Sequence, residues 1–117
     1  MYSGPIIDSH HHLWHWQKYP WLAAPMTPKM YDAEYSDLRQ DYLVEDLRAD
    51  FGNNNVVKSV HVQANYDPAK PVEETDWLQS EADRTGFPHA IVGQAIMTDA
   101  NIEEVLAGHA QYANTRG

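Results

Sequence analysis

A short apolar run, Ile6-Ile7, leads directly into Asp8-Ser9-His10-His11-His12, and no other feature constrains the chain as much. In an extended strand, side chains alternate between two faces. Period two then predicts Asp8, His10 and His12 on one face, with Ser9 and His11 on the other. Two imidazoles two residues apart can reach one ion or one anionic group. A carboxylate beside them can orient a ring by accepting its second N–H, or can itself bind a metal. The bland alternative is a solvated strand end. A folded strand carrying this pattern therefore has to place its C-terminal end at a site, or leave three histidines in water.

Punctuation along the rest of the chain predicts alternating strands and helices. Pro5 to Ser9 reads as the first strand. Leu13 to Ser36 is a long irregular segment with Trp14, Trp16, Tyr19, Trp21, Tyr31 and Tyr35, broken by Pro20, Pro25 and Pro28. A loop this long inside a domain is usually functional or disordered, and its aromatic content argues against disorder. Asp41 to Phe51 carries Leu43, Val44, Leu47 and Phe51 at helical spacing, with Gly52 as a stop. Val56 to Ala64 is rich in β-branched residues and reads as a second strand. Val72 to Thr85 reads as a helix closed by Gly86. Pro88 to Met97 is a third strand. Asn101 to Ala113 is a last helix, capped by Thr98 or Asp99, with Ile102, Val105, Leu106 and Ala110 as its apolar stripe.

Strand and helix in regular alternation imply an α/β fold with a parallel sheet, covered on both faces. Composition limits the partners. The chain has 117 residues, 17 acidic against 8 basic, and a net charge of −9. An acidic chain without a basic run argues against nucleic acid and anionic membranes. Cysteine is absent, so disulfides and thiolate chemistry are excluded. Met1 to Pro5 has neither the charged nor the apolar part of a signal peptide, and no run reaches membrane-spanning length. A soluble cytoplasmic protein is the expectation, with a small-molecule substrate and a homo-oligomer as an option.

Several elements together resemble the N-terminal part of the amidohydrolase superfamily. The resemblance is to its amidohydrolase-related family, with lactone hydrolases of the L-fuconolactonase and 2-pyrone-4,6-dicarboxylate lactonase type. The residues that carry it are Ile7 to Trp14, Tyr19-Pro20-Trp21-Leu22, Val60-His61-Val62-Gln63-Ala64, Trp77-Leu78, Ile91-Val92-Gly93 and Arg116-Gly117. They run through essentially the whole chain in family order. Many relatives have an acidic residue directly after the first Trp, where this chain has His15.

The resemblance implies a (β/α)₈ barrel of about 250 residues. Residues 1–117 are then expected to be the N-terminal portion of one barrel domain, its first three βα units. Such a piece is expected to be inactive alone and, with open edges, to associate. The resemblance places His10 and His12 at the C-terminal end of the first strand, as catalytic residues and metal ligands, with Asp8 supporting them. One divalent ion, zinc or manganese, is implied. In metal-independent relatives the pair contacts substrate instead. The general base is expected beyond Gly117. The expected reaction is hydrolysis of a lactone or related small carbonyl ester.

Gln63, near the C-terminal end of its strand, and Trp14 are the candidate substrate contacts. Trp14 and Trp21 would floor a sugar-type pocket or anchor the loop. His61 reads as structural. His89 and His109 carry no assigned role. Glu73-Glu74 reads as helix N-terminal charge, and Glu45 and Asp46 as a solvated helix face. Two alternatives stand beside the lactonase. One is a non-catalytic module binding Zn²⁺, Ni²⁺ or Cu²⁺ through His10, His12 and His15, with His11 nearby. The other is a metal-dependent decarboxylase of the same superfamily.

Overall fold

The computed structural model describes residues 2–25 and 34–117. Pro28 and Tyr31 of the aromatic segment lie outside the described residues. Three strands, β1 (Ile6–His11), β2 (Val56–Val62) and β3 (Ala90–Val92), form a parallel sheet in the order β1-β2-β3. Crossovers run through α2 (Val44–Phe51) between β1 and β2, and through α3 (Pro71–Thr85) between β2 and β3. A short helix α1 (Pro20–Ala23) precedes them in the chain, and α4 (Ile102–His109) follows β3. After α4 the chain returns to the sheet. Thr115 bridges Ile91 in parallel, and the Gly93 N–H donates to the Gly117 carbonyl at 2.8 Å. Residues 114–117 thus lie beside β3 in the place and direction of a fourth strand.

The two crossover helices stop where the sequence supplies a residue free to take positive φ. Gly52 (φ +54°) ends α2 and Gly86 (φ +85°) ends α3. The α2 helix starts three residues later than Asp41. Tyr42 is held in an antiparallel backbone pair with Trp14, and the Leu43 N–H donates to the Asp46 carboxylate at 2.8 Å. Asp46, expected on a solvated face, therefore caps its own helix. Pro20 does not break structure. It stands at the first position of α1, where a missing N–H costs nothing.

Two strand readings shift as well. β1 extends to His11, and β3 is only three residues long. Beyond β3 the Gln94 carbonyl accepts a hydrogen bond from the His109 ring at 2.9 Å, so the ladder ends there. The α4 stripe is also different from the expected one. Leu106 is 46% exposed, and the buried residue of α4 is His109.

The main core joins Leu13, Val44, Leu47, Leu78 and Ile91, between the sheet and α2 and α3. A second cluster of Tyr19, Leu22, Tyr35 and Ala64, with Trp14, Trp16, Trp21 and Tyr66 packed on it, gathers the aromatic segment around the end of β2. Burial of these rings, at about 25 cal/mol per Å² of apolar surface, is what keeps a segment with so little regular structure in place. The described residues of the segment that belong to this cluster therefore stand beside the C-terminal end of the sheet, where β1 delivers its histidines.

Candidate functional site

His10 and His12 emerge at the C-terminal end of β1 with ring centroids 5.0 Å apart. The His12 Nδ1–H donates to the Val62 carbonyl at 2.8 Å, an acceptor that can only accept. That bond fixes the tautomer and leaves Nε2 with its lone pair. A backbone carbonyl holding one ring nitrogen while the other stays available is the arrangement found behind metal-binding histidines. His10 is exposed, and His12 is half-buried. Both line a cleft of about 470 Å³ with Trp14, Trp21, Gln63 and Asn65. Among the lining residues there is no carboxylate.

Both candidate substrate contacts reach this cleft. Trp14 packs edge-on against Trp21 at 6.0 Å and donates its indole N–H to the Gln40 carbonyl. Gln63 lies just past β2. Its side-chain oxygen accepts the Asn65 N–H at 2.8 Å, and Asn65 has φ +54°. Asn65 was not singled out in the sequence. Its only local signal is an amide residue directly after a strand, a type that tolerates positive φ.

Asp8 departs from period two. The ladder pairs Asp8 with Ser59 and His11 with His61, so three residues of β1 advance against two of β2. This is a bulge at Ser9 and His10. It puts Asp8 in register with the buried side of β2. Asp8 lines an adjoining cleft of about 540 Å³ with His11, Tyr42, Leu47 and Asp50; His12 and Trp14 border both clefts. Its carboxylate accepts the main-chain N–H of His10 at 3.2 Å rather than a ring N–H. Asp8 thus supports the bulge and, through it, the direction of His10.

His11 turns inward. It is 7% exposed, and its Nε2 shares a hydrogen bond with Ser59 Oγ at 2.9 Å. His61 is fully buried, 5.6 Å from the His11 ring and 6.1 Å from the His12 ring, with Nε2 donating to the Leu13 carbonyl at 3.4 Å. Burial holds the His11 imidazole down to about 4, and neighbouring His12 and His10 add to that against the pull of Asp8. Burial, then the His11 ring, holds His61 down to about 3. Both rings are neutral at pH 7, and both leave Nδ1 without a partner.

His15 lies elsewhere. Its ring pairs with Asp41 at 3.3 Å, packs on Trp77 and lines a third cleft with Tyr19, Glu73 and Glu74. Among the described residues, no three His, Asp or Glu side chains come together to hold a metal ion. The three-histidine module of His10, His12 and His15 is therefore not formed. Because α2 and the loop before it draw His15 towards Asp41, sequence neighbours become spatial strangers.

Two residues given no role turn out to be buried. Glu74, read as helix N-terminal charge, is 2% exposed and accepts from the Tyr19 hydroxyl at 2.5 Å and the Ala64 N–H at 3.3 Å. Burial raises the Glu74 carboxyl above its usual range, against the pull of both donors. His109, given no role by the sequence, is 4% exposed and ties α4 to Thr75 of α3 and to the Gln94 carbonyl, each at 2.9 Å. Neither residue has a local sequence signal. Their burial comes from partners far away in the chain.

The whole arrangement has a relative of known structure. The chain matches an amidohydrolase. That protein, from Burkholderia multivorans, has bound zinc in its crystal structure; the match has 28% identity and a TM-score of 0.60, and covers 86% of this chain and 32% of that one. The parallel three-stranded α/β unit here corresponds to part of that TIM barrel. An uncharacterized Sinorhizobium fredii protein designated y4mH is 45% identical over 114 residues, 96% of this chain and 38% of that protein. The chain therefore spans less than half the length of each. No protein-family model matches it. Among the described residues, no helix is long and apolar enough to cross a membrane.

Proposed function

We propose that the chain forms the opening part of an amidohydrolase-type hydrolase acting on a lactone or related small carbonyl ester. The observation that carries this is the His10–His12 pair, 5.0 Å apart at the C-terminal end of β1, with His12 locked to Val62 through Nδ1. The C-terminal face is where barrel enzymes place their chemistry. A zinc-bound amidohydrolase with a matching fold supports the same reading.

The residues present fit a divalent ion. His12 offers Nε2, His10 stands beside it, and the Val62 carbonyl orients the His12 ring. Bound there, zinc or manganese supplies Lewis-acid polarisation of a carbonyl and activation of water. The chain's own residues do the rest of the positioning. Trp14 and Trp21, set edge to face, provide an apolar corner for a small ring. Gln63 and Asn65 provide amide groups in the same cleft for its hydroxyls or carboxylate. Asp8 keeps His10 aimed through its main chain. Proton handling falls to a carboxylate outside this cleft's described lining, because the lining offers none.

The test is zinc titration and a panel of sugar and dicarboxylate lactones, with a full-length parent protein that contains this chain and its His10→Ala, His12→Ala and doubly substituted variants. Zinc binding and hydrolysis are expected in the parent and lost together in the variants, with the melting temperature retained. Lactone hydrolysis that survives the double substitution refutes the assignment.

A further inference from the structure

The buried carboxylate of Glu74 is not used by the chemistry above, yet it sits in a closed ring of hydrogen bonds. Ala64 follows β2 by two residues, so its backbone groups have left the ladder and need other partners. Its N–H donates to Glu74, both oxygens lying at 3.3 Å. Its carbonyl accepts the Trp21 indole N–H at 2.9 Å. Trp21 is two residues from Tyr19, whose hydroxyl donates to the same Glu74 at 2.5 Å. Glu74 belongs to the first turn of α3, so one carboxylate joins three elements: α3, the end of β2 and the aromatic segment. Two members of the ring, Trp21 and Ala64, line the cleft that holds His10 and His12.

We propose that Glu74 is a positioning residue: it fixes the Trp21 wall of the cleft relative to the His10–His12 pair and so sets the width available to a ligand. The ionised or neutral carboxyl can each accept from Ala64, but only an oxygen acceptor at this place holds both Ala64 and Tyr19. The rigidity belongs to the wall and not to the imidazoles, because His12 is anchored separately on Val62. The inference rests on the hydrolase reading only for what enters the cleft.

The test compares Glu74→Ala, Glu74→Gln and Tyr19→Phe with the parent protein. Hydrogen exchange of the Trp21 indole N–H and the Ala64 amide is followed by NMR, and zinc affinity is measured beside it. In Glu74→Ala both protons are expected to exchange at least about tenfold faster, the equivalent of one lost hydrogen bond. Zinc affinity is expected to stay within about twofold, since no zinc-facing group is touched. Glu74→Gln, whose amide oxygen still accepts from Ala64, is expected to restore slow exchange at Ala64. With an active lactone, KM should rise in Glu74→Ala while kcat changes little. Unchanged exchange at Trp21 and Ala64 in Glu74→Ala overturns the proposal. Should Glu74→Ala fail to fold, Tyr19→Phe decides: faster Trp21 exchange supports the ring, and unchanged exchange overturns it. Loss of zinc binding by the parent with the exchange pattern intact would remove the hydrolase reading and leave the positioning role standing.

Discussion

Acid should unfold this protein through His61, and the size of the effect can be worked out from its surroundings. His61 is fully buried and neutral, its ring held down to about 3 against an ordinary value of 6.5. Its folded pKa lies below its unfolded one, so the unfolded chain takes up the proton first. Stability from this group is complete above about 6.5 and drains as the pH falls towards about 3. Between about pH 7 and pH 5 the unfolded chain becomes almost fully protonated at this site while the folded one does not, a loss of about 2 kcal/mol. The assay is urea unfolding of the parent and His61→Leu at pH 7, 6 and 5. The parent should lose about 2 kcal/mol more than the variant over this range, a relative shift of the midpoint of about 1–2 M. Other titrating groups, including Glu74 with its opposite sign, are common to both proteins and cancel in the difference. A stability difference that stays flat from pH 7 to pH 5 refutes the reasoning.

Three further outcomes are expected. Asp8→Ala should cost about 1 kcal/mol in thermal unfolding by leaving the His10 N–H at the bulge without its acceptor, whereas Asp8→Asn keeps an oxygen there and should be nearly neutral. Gly93→Ala should cost about 1–3 kcal/mol, read as a lower melting temperature, because a Cβ there would stand 2.7 Å from the His109 ring, which is held on both sides. For Glu74 the folded pKa is raised, so its contribution is complete below the unfolded value of 4.5 and is lost as the pH rises through the folded value. Glu74→Gln should therefore gain on the parent between pH 4 and pH 7 in urea midpoints, and a parent that gains instead would show the ring of donors outweighing burial.

Much of the scaffold is legible in the sequence because its signals are local. Gly52 and Gly86 mark helix ends, and the β-branched run from Val56 marks a strand. The Ile6-to-His12 pattern names the two imidazoles that share the cleft. What fails to show is set at long range. Glu74 looks like any acidic residue in a first helical turn, and only Tyr19, fifty-five residues earlier, makes it a buried strut. His109 looks like a polar residue on an amphipathic helix, and only Thr75 and Gln94 take it inside. The apolar run from Pro88 to Met97 outlasts β3 for the same reason, since the Gln94 carbonyl is claimed by that buried ring and not by a neighbouring strand.

Asp8 marks where the period-two rule itself gives way, and the failure explains the strand's design. β1 has two tasks over three consecutive histidines. His11 must lock onto Ser59 inside, while His10 and His12 must open into the cleft. Strict alternation can do this, but it would also put Asp8 beside His10 in the cleft. The bulge spends one residue to move Asp8 to the other side, where its carboxylate can cap the main chain it has just bent. The cleft that His10 and His12 share then holds no carboxylate from their own strand, and Asp8 lies in the adjoining cleft that His12 also borders. Register is strongly fixed by this, since a one-residue slip would bury His10 and His12 and expose His11. The acidic residue and the histidine run are therefore one device for aiming a pair of rings, acting through the main chain of His10 and not through a ring N–H.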